Sequence, residues 1–188
     1  MTKIYYIIGM MGVGKSSIGL GAARHIHIPF VDLDDYIRKK ENSSITEIFR
    51  TRGEAGFRAL ESKYLRELDF GDAHYAIVCT GGGTPTHHDN MAFMNKTGTT
   101  IFLKTPIKEI IERLKGMDDD RPLLQTMESD NMAAQLTKIY ESRLAFYEKA
   151  KYTLENIGYD QDVIENLMEL IRKDMETGEK WALPNNKI

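Results

Sequence analysis

A glycine-rich segment near the amino terminus carries the most specific chemical signal in the sequence. The segment Gly9–Ser17 reads GMMGVGKSS, follows the apolar run Lys3–Ile8 and precedes a helical pattern. This is the context in which the Walker A phosphate-binding motif occurs. Glycine amides at a helix N-terminus attract phosphate, Lys15 can bridge the β- and γ-phosphates, and Ser16 can ligate Mg²⁺. The predicted nucleotide ligands, which would be ATP ligands in a kinase, are Gly12, Val13, Gly14, Lys15, Ser16 and Ser17. Kinases, GTPases, ATPases and motor domains share such a loop, so the motif alone does not decide the reaction.

Two acidic residues follow the next predicted strand. Asp32 and Asp34 alternate at the end of the run Phe30–Leu33, which places them on one side of the strand end. Asp32 is predicted to hold Mg²⁺ through water, and Asp34 to orient an attacking hydroxyl or accept its proton. Helix capping by Asp34 or Asp35 is the alternative, and the sequence leaves both open.

Two arginines are candidate anion ligands. Arg143 lies on the apolar stripe of a predicted helix, four residues before Tyr147 and seven after Leu136. A buried cation there requires a carboxylate or phosphate partner, supplied either by a ligand or by an internal salt bridge. Arg58 lies at the edge of another stripe that includes Phe57, where a solvated arginine is the common alternative.

Glycines and a polar segment supply the remaining candidates. Gly81–Gly83 follow the predicted strand Ala76–Thr80, so the backbone there can approach a ligand closely, although a loose turn would also tolerate three glycines. The polar segment Gly116–Leu124 is predicted to be a lid that excludes water, with Arg121 reaching the transferring phosphoryl group. The acidic run Asp118–Asp120 argues mildly against that role for Arg121, because it repels ATP.

Short apolar runs alternate with helical patterns along the chain, which predicts an α/β fold with a five-stranded parallel sheet between helical layers. The predicted strands are Lys3–Ile8, Phe30–Leu33, Ala76–Thr80, Thr99–Leu103 and Tyr152–Leu154. The predicted helices are Lys15–Ile26, Asp35–Lys40, Ile45–Thr51, Glu54–Leu68, Ile107–Leu114, Asp130–Lys149 and Asp162–Glu176. One domain over 1–176 and a tail over 177–188 are expected.

Composition narrows the classes of partner and compartment. With 188 residues and a formal net charge of −3, the chain lacks the positive field that gathers nucleic acid or an acidic membrane surface. Its single cysteine, Cys79, suits a reducing compartment, so a cytoplasmic protein is predicted. The five histidines have no spacing typical of a zinc site. A monomer is expected.

Taken together, these features resemble the shikimate kinase family, within the P-loop kinases whose fold is like that of nucleoside monophosphate kinases. The resemblance covers about residues 1–175. The matching elements are the phosphate loop with Lys15 and Ser16, Asp32-x-Asp34, Gly53-Glu54-x-x-Phe57-Arg58, Gly81–Gly83, Arg121-Pro122-Leu123-Leu124, and Arg143 with Tyr147 and Ala150. The resemblance implies the sheet order 2-3-1-4-5, a substrate-binding helical insertion at about 33–61 and a lid at about 115–127.

The resemblance also implies a reaction, transfer of the γ-phosphate of ATP to the 3-hydroxyl of shikimate. In that assignment Arg58 and Arg143 bind the shikimate carboxylate, and Asp34 holds the hydroxyls and helps to deprotonate the acceptor. The Gly81–Gly83 backbone would contact the ring. Arg121 would be the lid cation, and Arg113 would stack near adenine.

Some features depart from the family pattern and leave alternatives open. The residues that follow Gly83, Thr84–His88, differ from the small and β-branched residues that are more usual there, and Pro85 is expected to reshape the loop. Another small-molecule kinase, such as a gluconate or nucleotide kinase, would share the phosphate loop but not Arg58, Arg143 and the three glycines. A non-catalytic regulatory protein that docks through Trp181 and the tail is a further alternative.

Overall fold

Five parallel strands form the single sheet of the computed structural model, which describes residues 2–115, 131–158 and 160–177. The strands are β1 (Lys3–Ile8), β2 (Phe30–Asp32), β3 (Tyr75–Cys79), β4 (Gly98–Lys104) and β5 (Tyr152–Glu155). Their order across the sheet is β2-β3-β1-β4-β5, and every pair is parallel. The predicted fold class and strand order are confirmed.

Helices cover both faces of the sheet. They are α1 (Lys15–Ile26), α2 (Leu33–Glu41), α3 (Ile45–Arg66), α4 (Asn90–Thr97), α5 (Ile107–Lys115), α6 (Met132–Tyr147) and α7 (Asp160–Thr177). Along β1, Tyr5 and Ile7 pack into a core with residues of α1, α5 and α7. The alternate residues of β1 pack into a second core with residues of α2, α3, α4 and the end of α6. The period of two along a buried strand therefore produces the predicted three layers.

The kink in α3 agrees with the sequence prediction. The pattern predicted separate helices over Ile45–Thr51 and Glu54–Leu68, and Gly53, between them, leaves the helical conformation with φ 67° and ψ 179°. Only a residue that lacks a Cβ adopts that backbone without strain, so Gly53 separates two helical segments within α3. Helix α4 was not predicted from the sequence, because the apolar period of its eight residues is weak.

Strand register brings three loops to one edge of the sheet. Ile7 of β1 and Asp32 of β2 are both register partners of Cys79 in β3. The phosphate loop, the aspartates and the three glycines follow these positions directly, so they open side by side at the carboxyl ends of the strands. In open parallel sheets this is where ligands bind.

The predicted lid and tail fall almost wholly outside the described residues, and so does Arg121. The helices α2 and most of α3 occupy the region predicted as a substrate-binding insertion. Within the described part of the chain, no helix combines the length and apolar character that crossing a membrane requires.

Candidate active site

The phosphate loop has a backbone that depends on its glycines. Gly12 and Gly14 have φ values of 77° and 86°, which side chains rarely adopt. A Cβ at Gly12 would also lie 2.8 Å from a methyl carbon of Leu114. Gly14 caps α1 and has no side chain that could accept hydrogen bonds from the first amides of the helix. These amides are the donors that phosphate binds at a helix N-terminus.

Lys15 is held inside the curve of this loop. Its Nζ donates hydrogen bonds to the carbonyl oxygens of Gly9 at 3.0 Å and of Met10 at 2.7 Å. The residue is only 8% exposed, so its charge is concentrated where phosphate would bind. This arrangement gives the loop a fixed cation before any nucleotide enters.

One cavity lies over the start of α1. Its lining residues are Gly12, Gly14, Lys15, Ser16, Ser17, Arg113 and Asp160. Arg113 is half-buried, pairs with Glu109 at 3.7 Å and donates to the carbonyl of Val13 at 3.4 Å. The structure thus brings the predicted ATP ligands together, except that the Val13 side chain is fully buried and offers only its backbone.

Asn156 is a residue of this region that the sequence analysis missed. It follows β5, is fully buried, and its Nδ2 donates to the Val13 carbonyl at 2.7 Å and to Thr105 Oγ1 at 2.8 Å. The side chain ties the end of β5 to the phosphate loop. A polar residue close to the end of a predicted strand was the one available signal in the sequence.

Ser16 and Asp32 form a contact that fits a magnesium site. The Ser16 hydroxyl donates to Asp32 Oδ2, so an alcohol and a carboxylate oxygen lie side by side next to Lys15. Mg²⁺ prefers such oxygen ligands, usually one or two from protein with the rest from water and phosphate. Among the described residues, no group of three or more His, Cys, Asp or Glu side chains is placed to hold a metal ion. The donor set therefore fits a cation that arrives with a nucleotide.

Asp32 also settles the question of which residue caps α2. Its Oδ1 accepts hydrogen bonds from the backbone amides of Asp34 at 3.0 Å and Asp35 at 3.2 Å. The alternative considered for Asp34 or Asp35 is therefore wrong, because the cap is Asp32. Asp34 lies in the first turn of α2 and lines a second cavity.

That second cavity, the acceptor cleft, adjoins the first because Lys15 and Ser16 line both. The polar residues that line the acceptor cleft are Lys15, Ser16, Asp32, Asp34, Arg58, Glu61, Thr80 and Arg143, with the backbone of Gly81–Gly83. Phe49 and Phe57 form an apolar wall. Every acceptor-site residue predicted within the described ranges is present in this cleft.

Arg58 enters the acceptor cleft already paired with acids. Its Nη1 donates to Glu61 at 2.6 Å, and its Nη2 and Nε donate to Glu54 Oε1 at 3.0 and 3.3 Å. Burial alone would lower the pKa of Arg58, but the two carboxylates outweigh it and raise that pKa. With the residue only 7% exposed, the alternative of a solvated arginine is wrong.

Glu61 was not predicted from the sequence. It is fully buried, and its second oxygen accepts a hydrogen bond from the Thr84 hydroxyl. Its position three residues after Arg58 puts both on one helix face, which was the available signal. A buried carboxylate in this position holds the Arg58 guanidinium against the cleft.

Arg143 is buried, with no acidic partner among the described residues. It is 9% exposed, its Nη1 lies 3.9 Å from the sulfur of Met10, and its charge acts on the nearby Tyr147. Across 2–115, 131–158 and 160–177, no carboxylate forms an ion pair with it, so the internal salt bridge considered for Arg143 is not found there. The guanidinium is thus available to a ligand anion.

Tyr147 lies one helical turn beyond Arg143 and supports the glycine loop. Its hydroxyl donates to the carbonyl of Gly82 at 2.5 Å, and its ring stacks on that of Phe102 with 5.2 Å between the ring centroids. Burial raises the pKa of Tyr147 to about 12, although the nearby Arg143 charge lowers it. The hydroxyl therefore remains a donor at neutral pH.

The three glycines allow the loop to pack directly against charged side chains. A Cβ on Gly83 would lie 2.5 Å from Cζ of Arg58, and one on Gly81 would lie 2.6 Å from Oε1 of Glu61. A Cβ on Gly82 would lie 3.3 Å from Nη1 of Arg143. The run is therefore packed tightly against protein side chains and is not a loose turn, and its contact with a ligand stays a prediction.

Comparison with known proteins agrees with this geometry. The sequence model described as shikimate kinase matches residues 11–173. A shikimate kinase from Bacteroides fragilis is 38% identical over 169 residues, which cover 89% of this chain and 93% of that protein. The chain belongs to the shikimate kinase family. The predicted family and the predicted ATP-dependent kinase activity are therefore confirmed.

Solved shikimate kinases have the same fold. The crystal structure of the Bacteroides thetaiotaomicron shikimate kinase superposes with a TM-score of 0.82 at 35% identity, covering 90% of this chain and 98% of that one. A shikimate kinase from Acinetobacter baumannii, solved in complex with shikimate, gives a TM-score of 0.81 at 33% identity and covers 93% and 95% of the two chains. The family relationship therefore extends over nearly the whole fold.

Proposed function

We propose that this chain phosphorylates the 3-hydroxyl of shikimate with ATP and Mg²⁺, giving shikimate 3-phosphate and ADP for aromatic amino-acid biosynthesis. The observation that carries the proposal is the buried Arg143 at the acceptor cleft, which has no carboxylate partner in the described part of the chain. An uncompensated buried charge costs several kcal/mol. A substrate carboxylate removes that cost, whereas an uncharged polyol does not.

Arg58 and Arg143 would share the substrate carboxylate from two sides of the glycine loop. Arg58 is oriented by Glu61, and Arg143 lies against Gly82. A hydrogen bond that involves a charged group contributes about 1.5–3 kcal/mol, so two arginines on one carboxylate would discriminate strongly against neutral acceptors. The Acinetobacter baumannii relative solved with shikimate supports the choice of this acid among carboxylates.

Asp34 would hold the acceptor hydroxyl and take its proton. It lines the same cleft as Lys15, so the hydroxyl it holds would face the phosphate loop. As the hydroxyl oxygen bonds to the γ-phosphorus, the bond from that phosphorus to the β-phosphate oxygen breaks and ADP leaves. Lys15 would stabilise the charge that develops on the transferring group.

Ser16 and Asp32 would hold Mg²⁺ when the nucleotide binds, and the cation would then neutralise part of the phosphate charge. Arg113 would lie near adenine, because it lines the nucleotide cavity. Arg121 as a lid cation, a monomeric state and a cytoplasmic location stay predictions.

The test is ADP formation by the purified protein with ATP and Mg²⁺ in the presence of shikimate, gluconate, nucleoside monophosphates or no acceptor. We expect rapid turnover with shikimate alone. Turnover with another acceptor but not with shikimate would reject the roles of Arg58 and Arg143 without affecting the fold assignment. ATP binding without turnover of any acceptor would favour a regulatory protein.

A further inference from the structure

The geometry of the glycine loop points to an additional positioning residue, and we propose that Thr84 sets the affinity for the substrate carboxylate by holding Glu61, which holds Arg58. The inference rests on the proposed function, because it assumes that Arg58 binds that carboxylate. Thr84 does not touch the substrate in this account. It acts through two successive contacts, from Thr84 to Glu61 and from Glu61 to Arg58.

Thr84 is placed with little freedom. It is fully buried at the start of a short 3-10 turn, Thr84–Thr86, directly after the three glycines. Its amide donates to the Gly81 carbonyl at 3.1 Å, and its carbonyl accepts from Asn90 Nδ2 at 3.0 Å. Because both backbone groups are bonded, the hydroxyl is aimed at Glu61 by the turn itself.

Glu61 depends on that hydroxyl. The carboxylate is fully buried, with Oε2 bonded to Arg58 and Oε1 to Thr84. No other donor to Oε1 is found in the described ranges. Removal of the hydroxyl would leave a charged oxygen buried without a partner, which is strongly unfavourable. The carboxylate would then turn away from its present position.

Movement of Glu61 is passed on to Arg58. Oε1 already lies against the backbone of Gly81, so close that a Cβ there would be 2.6 Å from it, and the carboxylate therefore has little room toward the loop. A displaced Glu61 must therefore rotate relative to Arg58 and break the 2.6 Å bond to Nη1. The guanidinium would then be held by Glu54 alone, whose side chain is 54% exposed. A less ordered guanidinium pays more conformational entropy when it binds a carboxylate.

A purely packing role makes a different prediction. Valine has nearly the shape of threonine and fills the same buried space, so a packing residue would tolerate Thr84→Val with little change in binding. Only a role that needs the hydroxyl would separate valine from serine, which keeps the hydroxyl and loses the methyl group. The two substitutions therefore distinguish positioning from packing.

The experiment measures shikimate and ATP affinity by titration calorimetry, with kcat and both KM values, for the unaltered protein and for Thr84→Val, Thr84→Ala and Thr84→Ser. We expect both variants without the hydroxyl to weaken shikimate binding about tenfold, with ATP affinity and kcat within about twofold. Thr84→Ser should stay within about twofold of the unaltered protein.

The matched control is Thr100→Val, another fully buried threonine whose hydroxyl donates to a side-chain oxygen, that of Asn95, at 2.5 Å. Thr100 lies in β4, away from the acceptor cleft, so this variant should lower the melting temperature without changing shikimate affinity. A double-mutant cycle with Glu61→Gln should be non-additive for shikimate binding, because both changes interrupt one chain of contacts.

Unchanged shikimate affinity in Thr84→Val and Thr84→Ala would overturn the inference, while turnover of shikimate by the unaltered protein would leave the proposed function intact. Equal losses of shikimate and ATP affinity, or additivity with Glu61→Gln, would overturn it as well. No phosphorylation of shikimate by the unaltered protein would reject the proposed function, and the inference with it.

Discussion

The phosphate loop and the acceptor cleft are adjacent but are built differently. The phosphate loop is one continuous segment, Gly9–Ser17, in which the cation Lys15 is held by two backbone carbonyls of the same loop. The acceptor cleft combines residues of α2, α3, the glycine loop and α6. A contiguous motif can be recognised by its spacing, whereas the cleft exists only once the sheet register has brought distant segments together.

The two regions also differ in charge. The acceptor cleft contains two arginines in unlike states, since Arg58 is paired with two carboxylates and Arg143 has no acid on it in the ranges that the structure describes. The first is oriented in advance, and the second lacks an anion. One carboxylate ligand would complete the cleft, just as phosphate would complete the loop. Substitutions can show whether the two regions act as separately as this comparison implies.

The largest effect is expected for Asp34→Asn, which keeps the shape of the acceptor cleft and removes the proton acceptor. Turnover should fall about a thousandfold, within the range typical of lost general-base catalysis, while ATP affinity is retained. Steady-state kinetics and nucleotide titration check this. The matched control, Asp35→Asn, changes an exposed carboxylate that pairs with Arg38 and should leave turnover nearly intact. Near-normal turnover of the Asp34 variant would dismiss Asp34 as a catalytic group.

Lys15→Ala tests the phosphate loop by itself. Loss of the cation should lower kcat about a hundredfold or more, because Lys15 would no longer donate hydrogen bonds to the negatively charged phosphoryl group during transfer. Shikimate affinity, measured by calorimetry without nucleotide, should stay close to that of the unaltered protein. If shikimate affinity fell as far as kcat, the loop and the cleft would not be separable.

Arg143→Ala tests the acceptor cleft in the same way. We expect the KM for shikimate to rise about a hundredfold, since a charge-assisted contact of roughly 2–3 kcal/mol is lost. ATP affinity should survive. The crossed control is Arg113→Ala, in the nucleotide cavity, which should weaken ATP and spare shikimate. Unchanged shikimate affinity in the Arg143 variant would remove Arg143 from the site.

Gly83→Ala should produce a smaller effect confined to the acceptor cleft. The φ of Gly83 is −92°, so alanine fits the backbone, but its Cβ would lie 2.5 Å from Cζ of Arg58. The guanidinium must shift, and we expect the KM for shikimate to rise about tenfold. Gly71→Ala, where φ is 55° and a Cβ meets open space, is the control for a glycine-to-alanine change that makes no side-chain contact. An equal effect of the two changes on the KM would contradict the close-approach interpretation.

Tyr147→Phe should have the smallest effect, and its sign depends on pH. Burial raises the pKa of Tyr147 from 10.0 to about 12, so the folded state keeps a proton that the unfolded state loses above pH 10. The contribution of this residue to the free energy of unfolding is therefore fully present below pH 10 and falls as the pH rises toward 12. Denaturant unfolding should show a shallower alkaline decline in Tyr147→Phe than in the unaltered protein. An identical decline in the two proteins would mean that groups other than Tyr147 cause the alkaline loss of stability.

At neutral pH the same variant should be less stable by about 1 kcal/mol, because the hydroxyl no longer donates to the Gly82 carbonyl. Tyr64→Phe is the comparison outside the cleft, since Tyr64 also has a pKa raised to about 12, chiefly through its hydrogen bond to Glu41. Both variants should flatten the alkaline decline. A rise in the KM for shikimate is expected only for Tyr147→Phe.

The phosphate loop could be predicted from the sequence more completely than the acceptor cleft. Strand β1 and helix α1 have the predicted bounds, because the loop between them is defined by local glycine and lysine spacing. The burial of Arg143 also followed from a local quantity, the helical period through Leu136 and Tyr147. Features that depend only on neighbouring residues within one helix or loop could therefore be predicted from the sequence.

Contacts between segments were not accessible in the same way. The bonds from Thr84 to Glu61 and from Asn156 to the Val13 carbonyl join residues 23 and 143 positions apart. No periodicity reports such pairs, because they arise from strand register and from the packing of helices on the sheet. The capping of α2 by Asp32 was missed for a related reason, since β2 ends one residue earlier than predicted.

In this protein the acceptor cleft would select its substrate through the carboxylate. The most direct measurement is kcat/KM for shikimate and for shikimate carboxamide, in which the anion is replaced by a neutral group of similar size, with the unaltered protein and Arg143→Ala. We predict a preference of about a hundredfold or more for the acid in the unaltered protein, and most of that preference lost in the variant. Equal kcat/KM values for acid and amide in the unaltered protein would contradict the account.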